Sequence, residues 1–153
     1  MKKIKFLAIG DIVIDAFIRL KDAHVHCKID TEGCELCVNF GDKIPYESVT
    51  AVPGVGNGPN AAVSAARLGL VSAALTNIGR DIHGTDCLKA LEKDKVITKY
   101  VKIERNKVTN YHYVLWYGVE RTILVKHTEF EYKLQRLGEI YWIYLTSLAD
   151  NTL

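Results

Sequence analysis

Pro53-Gly54-Val55-Gly56-Asn57-Gly58-Pro59-Asn60, running on into Ala61-Ala62-Val63-Ser64-Ala65-Ala66-Arg67-Leu68-Gly69, is the stretch whose reading decides the fold. Its first half is glycine punctuated by proline, and its second half carries the small apolar residues of a helix that packs closely on a neighbour. Proline suits a first helical turn and Gly69 suits the position after the last one, so a helix is expected from Pro59 to a cap at Gly69. Apolar runs flank it. Residues 4–14 (IKFLAIGDIVI) read as a strand reaching Gly10, followed by a turn that carries Asp11 and Asp15. A near-continuous apolar strand of this kind is buried on both faces, as in a parallel sheet. Residues 71–78 read as a second buried strand, and residues 84–93 as a second helix with Cys87, Leu88 and Leu91 on one side. Strand and helix in alternation argue for an α/β fold.

Residues 25–29 and 34–40 form two short strand-like runs around Asp30-Thr31-Glu32-Gly33, the pattern of a hairpin, and residues 46–52 add an edge strand. Three more strands are expected at 100–103, 110–117 and 121–127, the last two joined around Gly118-Val119-Glu120, and a further buried strand at 141–147. In an α/β sheet such a strand feeds a helix that covers the sheet. Only a few residues follow it, so the sequence is expected to be truncated relative to a longer natural domain.

With 153 residues, 48% of them hydrophobic, the chain can hold the core of one domain without a disulfide framework. Twenty basic side chains stand against 18 acidic ones, interspersed, and a net charge of +2 excludes nucleic acid or an anionic membrane as the main partner. The longest uncharged run, residues 48–66, is broken by Pro53, Gly54, Gly56, Gly58 and Pro59, so no membrane span is expected. Lys5 and Asp11 leave only residues 6–10 as an apolar stretch near the N-terminus, too short for a secretory signal. A cytoplasmic protein is expected. Cys27, Cys34, Cys37 and Cys87 are then read as reduced thiols, Cys87 as a small core residue.

Two places could carry chemistry. Gly56, Asn57, Gly58 and Asn60 stand at a helix entrance, where unpaired N–H groups and the positive end of the helix dipole suit an anion or a ring of hydroxyls. Asn60 offers both a donor and an acceptor to a polyol, or else simply caps the helix. Asp11 and Asp15 follow the first strand, at the carboxyl edge where open α/β sheets gather ligands, or else cap local turns. The sequence has no Gly-x-x-x-x-Gly-Lys-Ser/Thr loop, no Gly-x-Ser-x-Gly elbow and no His-Glu-x-x-His, and its glycine spacing is wrong for a dinucleotide fingerprint. An alternative reading treats His24, His26, Cys27, Cys34 and Cys37 as a small zinc-binding or interaction module. Against it, a separation of three on a strand puts Cys34 and Cys37 on opposite faces.

Three segments in order, AIGDIVID at 8–15, PGVGNGPNAAVSAARLGL at 53–70 and TNIGRDIHG at 76–84, resemble the first signature region of the ribokinase-like, PfkB family of carbohydrate kinases. Gly56, Gly58, Asn60, Ala62, Gly69 and Gly79 fall where that pattern asks for them, whereas Val55 replaces its usual Gly or Ala. The resemblance implies a mostly parallel sheet with flanking helices and a small β-sheet lid at about 24–52, with 109–127 among its central strands. Residues 1–153 would be the N-terminal part of a single kinase domain, the fold stopping about halfway and the ATP-binding half absent. It implies transfer of the γ-phosphoryl of ATP, with Mg2+, to a hydroxymethyl group of a sugar or nucleoside. Asp15 would hold sugar hydroxyls, while Gly56, Asn57 and Asn60 would contact the ring. No catalytic, cofactor or metal residue is implied within 1–153. The family's Gly-x-Gly-Asp motif, which supplies the base, would lie beyond Leu153, so this part alone would be inactive and would not hold ATP tightly. A homodimer through the lid is also implied.

Overall fold

The structure, a computed structural model, describes residues 3–27 and 33–148. Its centre is a parallel sheet of four strands in the order β10 (Ile140–Leu145), β1 (Ile4–Ile9), β6 (Ser72–Gly79) and β7 (Ile97–Glu104). Every residue of β6 is buried, as the continuous apolar reading of that stretch requires. Helices α1 (Asn57–Arg67) and α2 (Ile82–Lys93) cover one face of the sheet. There Ala8, Ala62, Ala74, Ile78, Cys87 and Leu91 form the main core. On the other face Leu7, Ala73, Leu75 and Tyr100 pack beneath Leu137.

A second sheet has the order β5 (Tyr46–Val55), β2 (Val13–Leu20), β8 (Asn110–Tyr117) and β9 (Glu120–Leu124). Strands β2 and β8 run parallel, and their outer partners β5 and β9 run antiparallel to them. A separate hairpin joins β3 (His24–Cys27) to β4 (Cys34–Cys37). Its expected turn at Asp30, Thr31 and Glu32 lies outside the described residues. Among the described residues no helix is long and apolar enough to cross a membrane.

Four expectations change. The first strand ends by Gly10 as expected, where a Cβ would collide with the Thr146 carbonyl oxygen and Asp11 donates its N–H to the Ser147 carbonyl at 3.0 Å, but a second strand, β2, follows from Val13 in place of the expected turn. Asp15 therefore lies within strand β2 rather than in a turn. Residues 109–127 belong to the second sheet and not to the central one, because β8 pairs with β2 along its whole length. The non-central strands are accordingly drawn from four stretches, of which only β5 and the hairpin fall near 24–52. Strand β10, expected to be buried, is mostly exposed, with Trp142 at 70%, because it is the end strand of its sheet.

One polar knot ties the two sheets together. Asp81 precedes α2 and accepts the Gly84 N–H at 2.7 Å, so the helix begins at Ile82 rather than Gly84. The same carboxylate accepts the Thr109 hydroxyl at 2.7 Å and the Thr109 N–H at 2.8 Å, at the entrance to β8. The Thr109 oxygen in turn accepts the Gly79 N–H at 3.0 Å, at the end of β6. Burial works to raise the Asp81 pKa, but the hydrogen bonds from Thr109 and Gly84 outweigh it and hold the carboxyl below its ordinary value. A carboxylate depressed in the folded state stabilises above its unfolded pKa, and that contribution disappears as pH falls through the folded one. Asp81→Ala should lower the urea-unfolding free energy by about 2 kcal/mol at neutral pH, the scale of a lost cap with a stranded partner. Asp81→Asn should approach wild-type stability as the pH drops below the carboxylate range.

Candidate functional site

Where the two sheets part, an open cleft of about 660 Å³ lies beyond the carboxyl end of β1. Its wall is the start of α1, with Gly56 and Asn57; its floor is the second sheet, with Val13 and Asp15 on β2 and Asn110 and His112 on β8. Ile123, Val125 and His127 close one side, and Ser147 and Leu148 the other. Placement at the carboxyl ends of parallel strands is where α/β sheets leave room for ligands, since backbone there diverges between neighbouring strands.

Helix α1 starts at Asn57, before Pro59, and its N-cap is Gly56 with φ 118°. A side chain at Gly56 would place its Cβ 2.6 Å from the Asp11 carbonyl oxygen, so this residue holds both the left-handed backbone and the close approach. Asn60 is not the cap: its N–H already donates to the Gly56 carbonyl at 2.9 Å inside the helix. Asn57 faces the cleft and donates from Nδ2 to the Ser147 hydroxyl at 2.7 Å.

Three of the four residues expected at the site, Asp15, Gly56 and Asn57, thus line one cleft. Asn60 does not line it; it is exposed, one turn further along α1. Asp11 lines the cleft but serves as a post. It is 7% exposed, accepts the Tyr132 hydroxyl at 2.6 Å, and has His127 Nδ1 at 3.5 Å from its other oxygen. Burial and the bond to Asp11 push the Tyr132 hydroxyl pKa up, so it stays a donor.

Sequence reading missed His112 and His127. His112 Nδ1 lies 3.5 Å from Asp15 Oδ1. Burial raises the Asp15 pKa, with His112 and then Arg121 pulling it back; burial lowers that of His112, with Asp15 opposing. The alternation of β8 put Asn110 and His112 on one face, but only its pairing with β2 showed which face is the cleft. Asn110 itself is structural, accepting the Thr128 N–H at 2.8 Å.

The hairpin cluster gathers no metal site. Cys27 and Cys34 are cross-strand partners, Cα atoms 4.2 Å apart, and form a disulfide, which corrects the expectation of reduced thiols. Their pairing follows from the register, which sets them opposite each other. Among the described residues no three His, Cys, Asp or Glu side chains converge as metal ligands. Cys87 is a core residue, its thiol pushed up to about 12 by burial.

A family model described as pfkB family carbohydrate kinase matches residues 20–148. The chain belongs to that family. Solved structures carry the same fold as this pfkB chain. A ribokinase from Arabidopsis thaliana, complexed with ribose and ATP, has 19% identity over 82% of the chain and a TM-score of 0.65. A ribokinase from Cryptococcus neoformans, in complex with ADP, has 26% identity over 81% of the chain and a TM-score of 0.60. A nucleoside kinase from Methanocaldococcus jannaschii has 15% identity over 80% of the chain and a TM-score of 0.62. The pfkB chain spans only 36%, 34% and 36% of these three, respectively. No curated protein matches the sequence.

Among the described residues the cleft of this pfkB chain is lined by the carboxylates of Asp11 and Asp15 and by no lysine or arginine. Gly56→Ala should destabilise the chain by about 2 kcal/mol or more, because the new methyl meets backbone that cannot give way. Thermal unfolding followed by circular dichroism checks it, with Gly69→Ala as the comparison: that glycine also has positive φ but open space around it.

Proposed function

We propose that this chain is the substrate-holding part of an ATP-dependent kinase that phosphorylates a hydroxymethyl group of a sugar or nucleoside. The observation that carries the reading is the cleft in which Asp15, Gly56 and Asn57 converge at the carboxyl edge of a parallel sheet in a pfkB family chain. Asp15 accepts two ligand hydroxyls, a role suited to a carboxylate with few partners of its own. Gly56, lacking a Cβ, lets the ring approach the main chain, and Asn57 offers its amide from the helix start. Asn60, three residues on and on the same side of α1, is an outer contact that a ring projecting from the cleft reaches.

ATP, when bound elsewhere in a complete kinase, supplies the phosphoryl group; the residues here bind and orient the acceptor and exclude water from it. The sequence contains no Gly-x-Gly-Asp segment, and Gly10-Asp11 and Gly41-Asp42 lack its first glycine. With no base and no anion site, the chain by itself should transfer no phosphoryl group at a measurable rate. The same reading includes a cytoplasmic location and a homodimer through the lid, whose strand β5 exposes Val49 and Val52.

Titrating the chain with ribose, fructose and adenosine tests the proposal. Binding of at least one is expected, and Asp15→Asn should weaken it by roughly ten- to a hundredfold with little change in melting temperature. Asn60→Ala should weaken it less. Failure to bind any sugar or nucleoside, or variants that melt lower yet bind normally, would overturn the assignment. Sedimentation at the mass of one chain would remove the dimer.

A further inference from the structure

Four titratable side chains from four separate stretches meet at the cleft floor: Asp15 on β2, His112 on β8, His127 after β9, and Asp11 at the crossing from β1 to β2. His112 approaches Asp15 at 3.5 Å, His127 approaches Asp11 at 3.5 Å, and the two rings meet edge to face with centroids 5.4 Å apart. The two carboxylates are not equivalent. Asp11 is committed to the Tyr132 hydroxyl, whereas among the described residues Asp15 has one near partner, the His112 ring.

The other nitrogen of that ring, Nε2, is buried and has no hydrogen-bond partner among the described residues. A proton on Nε2 would be a buried donor with no protein partner, and on a charged ring that is costlier than a stranded acceptor on a neutral one. The surroundings therefore favour the neutral ring with its proton on Nδ1, facing Asp15. The groups around it divide: Asp15 and, more weakly, Asp11 favour a cation, while burial and His127 oppose it. Arg121, on β9, acts on the Asp15 side of the pair.

We propose that His112 is a positioning residue for substrate binding: its neutral ring, with Nδ1–H toward Asp15, orients the carboxylate that accepts a polyol's hydroxyls, and its protonation lowers the affinity of the cleft for that polyol. This rests on the reading of the cleft as a sugar site. A neutral ring makes one contact with one carboxylate oxygen and leaves the remaining lone pairs for ligand hydroxyls. A cationic ring draws the carboxylate into a full ion pair and competes with the ligand for them.

The test combines histidine side-chain NMR on the ligand-free chain with ribose titration at about pH 8 and about pH 5.5, either side of the ordinary imidazole range. Without ligand, His112 is expected to carry its proton on Nδ1 and to titrate below ordinary histidine, and Asp15→Asn is expected to move that titration lower still. Wild type should lose ribose affinity at the lower pH, by less than about tenfold, because a ring that titrates below ordinary histidine is only partly protonated there. His112→Asn keeps an N–H donor near the Nδ1 position but cannot be protonated, and should bind ribose alike at both pH values. His112→Leu should bind about tenfold more weakly at both. A His112 titration unmoved by Asp15→Asn, a Leu variant that binds like wild type, or an Asn variant that keeps the wild-type pH profile would each overturn the proposal. A wild type that binds no sugar at either pH removes the kinase reading instead, and the ligand-free titration still decides whether His112 and Asp15 are coupled.

Discussion

Close contact of backbone with backbone at the start of α1 is what the rest of the arrangement depends on. The start of α1 lies directly on the crossing from β1 to β2. A Cβ at Gly58 would sit 3.3 Å from the Gly10 backbone, one at Gly56 would sit 2.6 Å from the Asp11 carbonyl oxygen, and one at Gly10 would strike the Thr146 carbonyl. Three missing side chains let a helix, a strand end and the exit of β10 share one small volume. The cleft is the opening left beside that contact, and its depth follows from how closely the helix can approach.

Close approach at one point does not fix the angle between two sheets, and buried polar groups do that work. The Asp81 carboxylate holds the start of α2 and the entrance of β8, and Thr109 passes the connection on to Gly79. On the opposite side Glu104 accepts the Asn77 amide at 2.6 Å and the Glu131 N–H at 3.0 Å, which pins the connection between β9 and β10 to the parallel sheet. Asp11 and Tyr132 complete the set near the cleft. Each of these acceptors takes at least one partner from a distant part of the chain, so a rigid cleft depends on all of them together.

Chemically, the two carboxylates of the cleft are not alike. Asp11 is buried and engaged; Asp15, four residues on, keeps lone pairs free and has an imidazole at its side. The exposed aromatic and aliphatic side chains of β10, from Tyr141 to Leu145, contrast with this polar cleft.

Local pattern was enough for much of the fold. The all-apolar run of β6, the small-residue face of α1, the hairpin of β3 and β4, and the two-residue turn at Gly118 and Val119 are each set by neighbours in sequence, and each was legible there. Asp15, Gly56 and Asn57 were singled out there as well, from a carboxylate after a first strand, glycine at a helix entrance and the family resemblance, and the fold brings the three to one cleft. Partners across the chain were not legible. The strand that begins at Val13 depends on its pairing with β5 and β8, the assignment of β8 to the second sheet depends on β2, and the Cys27 to Cys34 bond depends on the hairpin register. His112 entered the site for the same reason: alternation says which residues of a strand share a face, but only the strand beside it decides what that face looks onto.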